Sequence, residues 1–154
     1  MIVDIHTHVF RAGQDFGPGL QADLARAGID PAVWGDVPER HLETTRDADV
    51  AVVFGLQASA TGWHIPNDAV AAHVRRAPER LLFFASVDPL DPACVDELER
   101  CHRDLGAVGV KLAPLYQGVH PRDPRCCDIY RYCERHGLPV LFHAGTSFVG
   151  GTEL

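Results

Sequence analysis

The sequence predicts an α/β fold built on a parallel sheet, and three observations predict it. Five apolar, β-branched-rich runs recur at residues 2–6, 50–56, 81–87, 108–112 and 140–143. Segments of helical period lie between the later runs. Those runs begin near 50, 81, 108 and 140, roughly one per 30 residues, which is the size of a βαβ unit with a right-handed crossover. An eight-stranded β/α barrel typically needs about 250 residues, and this chain has 154. Periodicity alone therefore leaves two architectures open: a doubly wound open sheet, or the first part of a barrel.

Each element has its own local reason. The opening strand is followed by an excursion over residues 10–47, with Gly13, Gly17-Pro18-Gly19 and Trp34, and then a short helix near Glu39 to Arg46. A connection that long between regular elements is expected to be a lid or binding loop. After the second strand, Asn67 is placed to cap a helix carrying Val70, Ala71 and Val74, which stops before Pro78. Asp91-Pro92 and Asp123-Pro124 each read as a cap followed by the first helical position. Val95, Leu98 and Cys101 form one apolar face, and Cys126, Ile129, Tyr130 and Cys133 form the other. Gly137 sits where a left-handed helix stop is expected. The tail 145–154, with Gly150-Gly151, shows no helical pattern, and residues 1–154 are expected to form a single domain.

Composition removes several function classes. Apolar residues make up 46% of the chain and charged residues 23%, an ordinary globular mixture. Fourteen Lys plus Arg against 21 Asp plus Glu give a net charge of −7, which argues against a phosphate-binding face for nucleic acid or anionic membrane. No apolar run is long enough to span a bilayer. The opening residues show no basic region followed by an apolar stretch, so no secretory signal is expected and the cytoplasm is the expected compartment. The five cysteines, an odd number, fit a reducing environment. Cys126, Cys127, Cys133 and His136 lack a C-x-x-C hook and fall on a helical pattern, so they read as packed residues rather than a zinc cluster. There is no G-x-S-x-G, P-loop or G-x-G-x-x-G.

Chemistry concentrates on the first strand. Alternation puts Val3, Ile5 and Thr7 on one face and Asp4, His6 and His8 on the other. Val3 and Ile5 suit a face covered by helices. An Asp and two His do not suit a dry interior unless each finds a partner. Two imidazoles at i and i+2, at the carboxyl end of a parallel strand, can converge on one cation. His143 ends the fifth strand, which in a closed barrel faces the first, so it can approach the same centre. Three neutral imidazoles suit zinc first, and also Fe, Co, Ni or Mn. Asp4 is a candidate to orient a ligand His. Lys111 ends the fourth strand and is a candidate contact for a substrate carboxylate. Trp63 and His64 follow strand two and are candidates to line the pocket, His64 as an acid/base or hydrogen-bond donor. His41, His73, His102 and His136 fall on helices and read as structural or surface residues.

These residues carry a family resemblance. D-I-H-T-H at 4–8, N-D at 67–68, P-E-R-L-L-F-F-A-S-V-D-P at 78–89, G-V-K-L at 109–112 and G-L-P-V-L-F-H-A-G at 137–145 resemble the amidohydrolase superfamily. The resemblance is to the amidohydrolase-related branch of metal-dependent hydrolases, lactonases and decarboxylases. It implies a distorted (β/α)8 TIM barrel, of which this length holds about five parallel strands and four helices. It also implies that His6, His8 and His143 are metal ligands. The branch completes its site with a His after strand six and an Asp after strand eight, neither of which falls within these 154 residues, so no proton-transfer residue is assigned. In some branches a strand-four lysine is carboxylated to bridge two metals, a second role for Lys111. The expected activity is hydrolysis of an amide, ester or lactone by metal-activated water. The alternatives are a non-oxidative decarboxylase of the same branch, or an inactive fragment that self-associates. The expected partners are a small-molecule substrate and, through unpaired strand edges, further copies of the chain.

Overall fold

The computed structural model describes residues 1–150 except 12, 31–36 and 148. Trp34 and the last four residues of the tail lie outside the described residues. Five parallel strands form one sheet: β1 (Val3–His8), β2 (Val50–Phe54), β5 (Leu81–Ser86), β6 (Gly109–Leu112) and β7 (Val140–Phe142). Their order is β1-β2-β5-β6-β7, so every strand neighbours the next main strand in sequence. The sheet curls into a half-barrel, and the barrel alternative is the one adopted. A small antiparallel pair, β3 (Gln57–Ala58) and β4 (Trp63–His64), sits on the connection after β2.

Six α-helices are described: α1 (Pro18–Arg26), α2 (Val37–Thr44), α3 (Asn67–Val74), α4 (Cys94–Arg103), α5 (Pro114–Gln117) and α6 (Cys127–His136). The excursion over 10–47 is thus partly helical. In α1, Pro18 occupies the first turn and Leu20 and Leu24 stand one turn apart, both buried with Phe16 and Val149 in a small separate cluster. The flanking glycines hid that short pattern in the sequence. Asn67 does not cap α3, whose cap is Pro66. Its buried amide instead donates to Ser86 O at 2.9 Å and Glu97 Oε1 at 2.8 Å and accepts from Ser86 N at 2.9 Å. The end of a buried strand has backbone groups to satisfy, and Asn67 satisfies two of them. Asp123 does cap, accepting from Arg125 N at 2.9 Å, and Gly137 closes α6 in the left-handed conformation with φ 66°.

The main core lies between the sheet and the helices. Val53, Leu81, Phe83, Ala85, Val110 and Leu112 pack against Val70 and Ala71 of α3, Leu98 and Cys101 of α4, and Ile129 and Cys133 of α6. Gly109 begins β6 under the Phe84 ring, where a Cβ would collide with the ring carbons. Four cysteines are buried, Cys127 is half-buried, and all five are free thiols. No helix is long and apolar enough to cross a membrane among the described residues.

The face of β1 expected to lie under helices is not covered. Val3 and Ile5 are 45% and 58% exposed, and only Thr7 on that face is buried. α2 reaches only the Thr7 end of the strand. β1 is also irregular: three steps from Asp4 to Thr7 run against two steps from Ala51 to Val53 on β2. An extra residue of this kind re-aims the side chains around it.

Candidate active site

Residues at the carboxyl ends of β1, β6 and β7 open onto one cavity of about 140 Å³. His6, His8, Lys111 and His143 line it, together with Phe10, Leu56, Trp63, Ala113 and Tyr116. Among the described residues its wall contains no carboxylate.

His6 and His8 meet there. Their Nε2 atoms lie 3.2 Å apart, although residues i and i+2 on a strand are about 6.6 Å apart along it. The Phe54 ring, on the inner face of β2, packs edge-on to both imidazoles at 5.1 and 4.6 Å between centroids. A separation of 3.2 Å fits either a hydrogen bond from one ring to the other or two lone pairs directed at one cation. Two nitrogens bound to one ion at about 2.0–2.1 Å stand roughly 3 Å apart.

The electrostatics keep these rings neutral, as a metal ligand must be. Burial, then the charges of His6, Lys111 and His143, push His8 down to about 3. His6 is lowered by burial and by Lys111, with Asp4 opposing. His143 is lowered by burial, Lys111 and His6. Burial alone brings the Lys111 ammonium down to about 8.

Lys111, expected at the end of the fourth strand, lines the cavity as well. It is 1% exposed, and its Nζ lies 4.8 Å from the centre of the Phe54 ring. Four buried side-chain nitrogens among the described residues have no hydrogen-bond partner in the protein, and three of them, Lys111 Nζ, Trp63 Nε1 and His143 Nε2, belong to residues of this cavity. An unpaired buried donor costs about 1–3 kcal/mol, more when charged, so such a concentration marks a place built for a ligand.

The three imidazoles expected at one centre are therefore gathered in part. His6 and His8 form a pair, and His143 lines the same cavity with its ring against Tyr116 at 4.8 Å. Among the described residues, no three His, Cys, Asp or Glu side chains are close enough to hold one ion together. The structure keeps Asp4 outside the cavity: it is exposed, and its Oδ1 accepts the backbone N–H of His6 at 3.0 Å. His64 is exposed on β4, while Trp63, pointing the other way along the same strand, lines the cavity. Phe54 stands opposite His8 in the register of β1 and β2, but the run VAVVF is apolar throughout and has no alternation to mark it as inward. Nothing in the sequence pointed to Tyr116, which reaches the site from the short helix α5.

Comparison with known proteins agrees with this architecture. A family model described as Amidohydrolase matches residues 3–153. A 2-amino-3-carboxymuconate-6-semialdehyde decarboxylase of Dictyostelium discoideum is 28% identical over 128 residues, covering 75% of this chain and 35% of that protein. An uncharacterised TIM-barrel protein of Bordetella bronchiseptica superposes with a TM-score of 0.73 at 20% identity, covering 98% of this chain and 58% of that one. A 5-carboxyvanillate decarboxylase of Novosphingobium aromaticivorans, with bound manganese and 3-methoxy-4-hydroxy-5-nitrobenzoic acid, superposes with a TM-score of 0.58 at 22% identity, covering 88% of this chain and 41% of that one. In each case the chain spans less than two thirds of the protein it matches.

Proposed function

The chain belongs to the amidohydrolase family, and we propose that its site serves the metal-dependent, non-oxidative decarboxylation of a planar conjugated or aromatic acid. The observation that carries this reading is Lys111: a buried ammonium, without a hydrogen-bond partner, in a cavity whose described wall offers it no anion. A neutral amide, ester or lactone would leave that charge uncompensated, whereas a carboxylate would pair with it in a medium where charge pairing is strong. The decarboxylases among the similar proteins support the same choice over the hydrolytic reading.

His6 and His8 would hold a divalent cation, with His143 facing them across the cavity. Bound there, the ion would act as a Lewis acid toward an oxygen of the substrate. The manganese in the carboxyvanillate decarboxylase supports a divalent ion without singling out zinc. Lys111 holds the substrate acid by charge. Phe10, Trp63 and Tyr116 offer flat apolar walls to a planar ring, and the Trp63 Nε1 donor is free for a ligand oxygen. In the net change the bond between ring carbon and carboxylate breaks, carbon dioxide leaves, and that carbon takes up a proton.

The test pairs substrates by ring. The chain, supplied with Mn²⁺ or Zn²⁺, is given hydroxybenzoic and dienoic acids in one series and their lactones and esters in another. Release of carbon dioxide from the acids supports the reading. Hydrolysed product from the neutral series, with no carbon dioxide from the acids, overturns it.

A further inference from the structure

Behind the His6/His8 pair runs a chain of side-chain hydrogen bonds that takes no part in the proposed reaction. Thr7, the residue between the two histidines, points to the opposite face of β1. Its Oγ1 donates to Val52 O of β2 at 2.7 Å. The hydroxyl has one proton and has spent it there, so its 2.9 Å contact with His41 Nε2 is a bond donated by His41. His41 then carries its proton on Nε2, and its Nδ1 accepts from His73 Nε2 at 3.1 Å. With His41 neutral, the order of donors runs His73 to His41 to Thr7 to the β2 backbone. His41 and His73 are 5% and 4% exposed, and the chain links α3, α2, β1 and β2. It grips β1 at the end of the stretch where pairing with β2 slips, between Asp4 and Thr7. An irregular edge strand has no second neighbour to hold it in that conformation, and among the described residues β1 pairs with β2 alone.

We infer that His41 is a positioning residue: through Thr7 it holds the irregular segment of β1 so that the His6 and His8 imidazoles bring their Nε2 atoms to one point. The inference rests on the reading of His6 and His8 as a cation-holding pair. Its functional form is an effect on cation affinity, and its structural form is an effect on the two rings in the metal-free chain.

The experiment compares the full chain with His41→Phe, which keeps a ring and removes the donor, and with His41→Gln, whose amide N–H can still reach Thr7. Leu98→Ala, a core change away from the relay, serves as the stability control. Co²⁺ binding is followed by calorimetry, the metal-free rings by the nuclear Overhauser contact between the His6 and His8 Hε1 protons, and stability by thermal unfolding. His41→Phe is expected to weaken Co²⁺ by about tenfold or more and to lose the ring contact. His41→Gln is expected to keep both near wild type, and Leu98→Ala to lower the melting temperature without changing either. Wild-type affinity and ring contact in His41→Phe would overturn the inference, as would an equal loss in Leu98→Ala. If His41→Phe does not fold, Thr7→Val removes the same link and carries the same expectations. A wild-type chain that binds no Co²⁺ would count against the cation reading alone, and the ring contact would then decide the role of His41.

Discussion

In the proposed reaction Lys111 and the His6/His8 pair divide the work of the site, and each supports a measurement. Removing the buried ammonium with Lys111→Met should weaken binding of benzoate by about tenfold to a hundredfold, the worth of a charge-assisted pair, while benzamide affinity stays nearly unchanged. Calorimetry with the two probes checks this, and equal binding of acid and amide by the wild type would remove the argument for an anionic substrate. Replacing both imidazoles, with His6→Ala plus His8→Ala, should abolish stoichiometric uptake of a divalent cation, measured by metal analysis after dialysis. Retention of the ion would place the metal elsewhere. At this scale the sequence was informative about identity and poor about company. His6, His8, His143 and Lys111 were all legible as strand-end residues. Their meeting with Phe54, Trp63 and Tyr116 depends on how far the sheet curls, which no local pattern encodes.

Among the elements, α2 and α3 matter beyond covering the sheet, because they supply His41 and His73. Burial first, then the charges on His73 and Arg80, bring His41 down to about 4, and His73 is lowered chiefly by burial. Both rings are therefore neutral in the folded chain at neutral pH. The unfolded chain takes up protons near the ordinary value of 6.5, before the folded one does, so stability is full above that value and is lost as pH falls from about 6.5 to about 4. For His41 the loss is on the order of 3 kcal/mol. Urea unfolding across that interval should show the decline, and His41→Gln, which cannot titrate, should make it shallower while the share of His73 and His8 remains. In α4, Leu98 is fully buried at the centre of the apolar face read from the sequence. Leu98→Ala should cost about 2–5 kcal/mol in the same assay. The helices with strong apolar faces, α4 and α6, were readable because one periodic face repeats over two to three turns. The helix α1 was not, because only Leu20 and Leu24 mark it and glycines flank its start.

For the whole molecule, the consequence of a half-barrel is that, among the described residues, its sheet has two edges, β1 and β7. β1 exposes Val3 and Ile5 beside Ile2, and β7 exposes Phe142, at 39%. Unpaired strand edges with apolar side chains favour association. The chain is expected to form a dimer or larger species, visible by light scattering after size exclusion, and Val3→Lys should shift it toward monomer. A monomer at micromolar concentration would contradict the expectation.

The sequence by itself determined the alternation of strands and helices, the parallel order that follows from it, and the placement of imidazoles and a lysine at strand ends. These are local matters, set by side-chain period, by turn residues and by the short reach of a βαβ crossover. Only the tertiary structure decided that the sheet curls into a half-barrel, that β1 slips by one residue and brings two rings together, that an ammonium is buried beside them, and that two of the helical histidines read as structural or surface residues form a buried relay. Those outcomes depend on contacts between residues tens of positions apart, whose energies are settled by packing and by the cost of leaving polar groups unpaired.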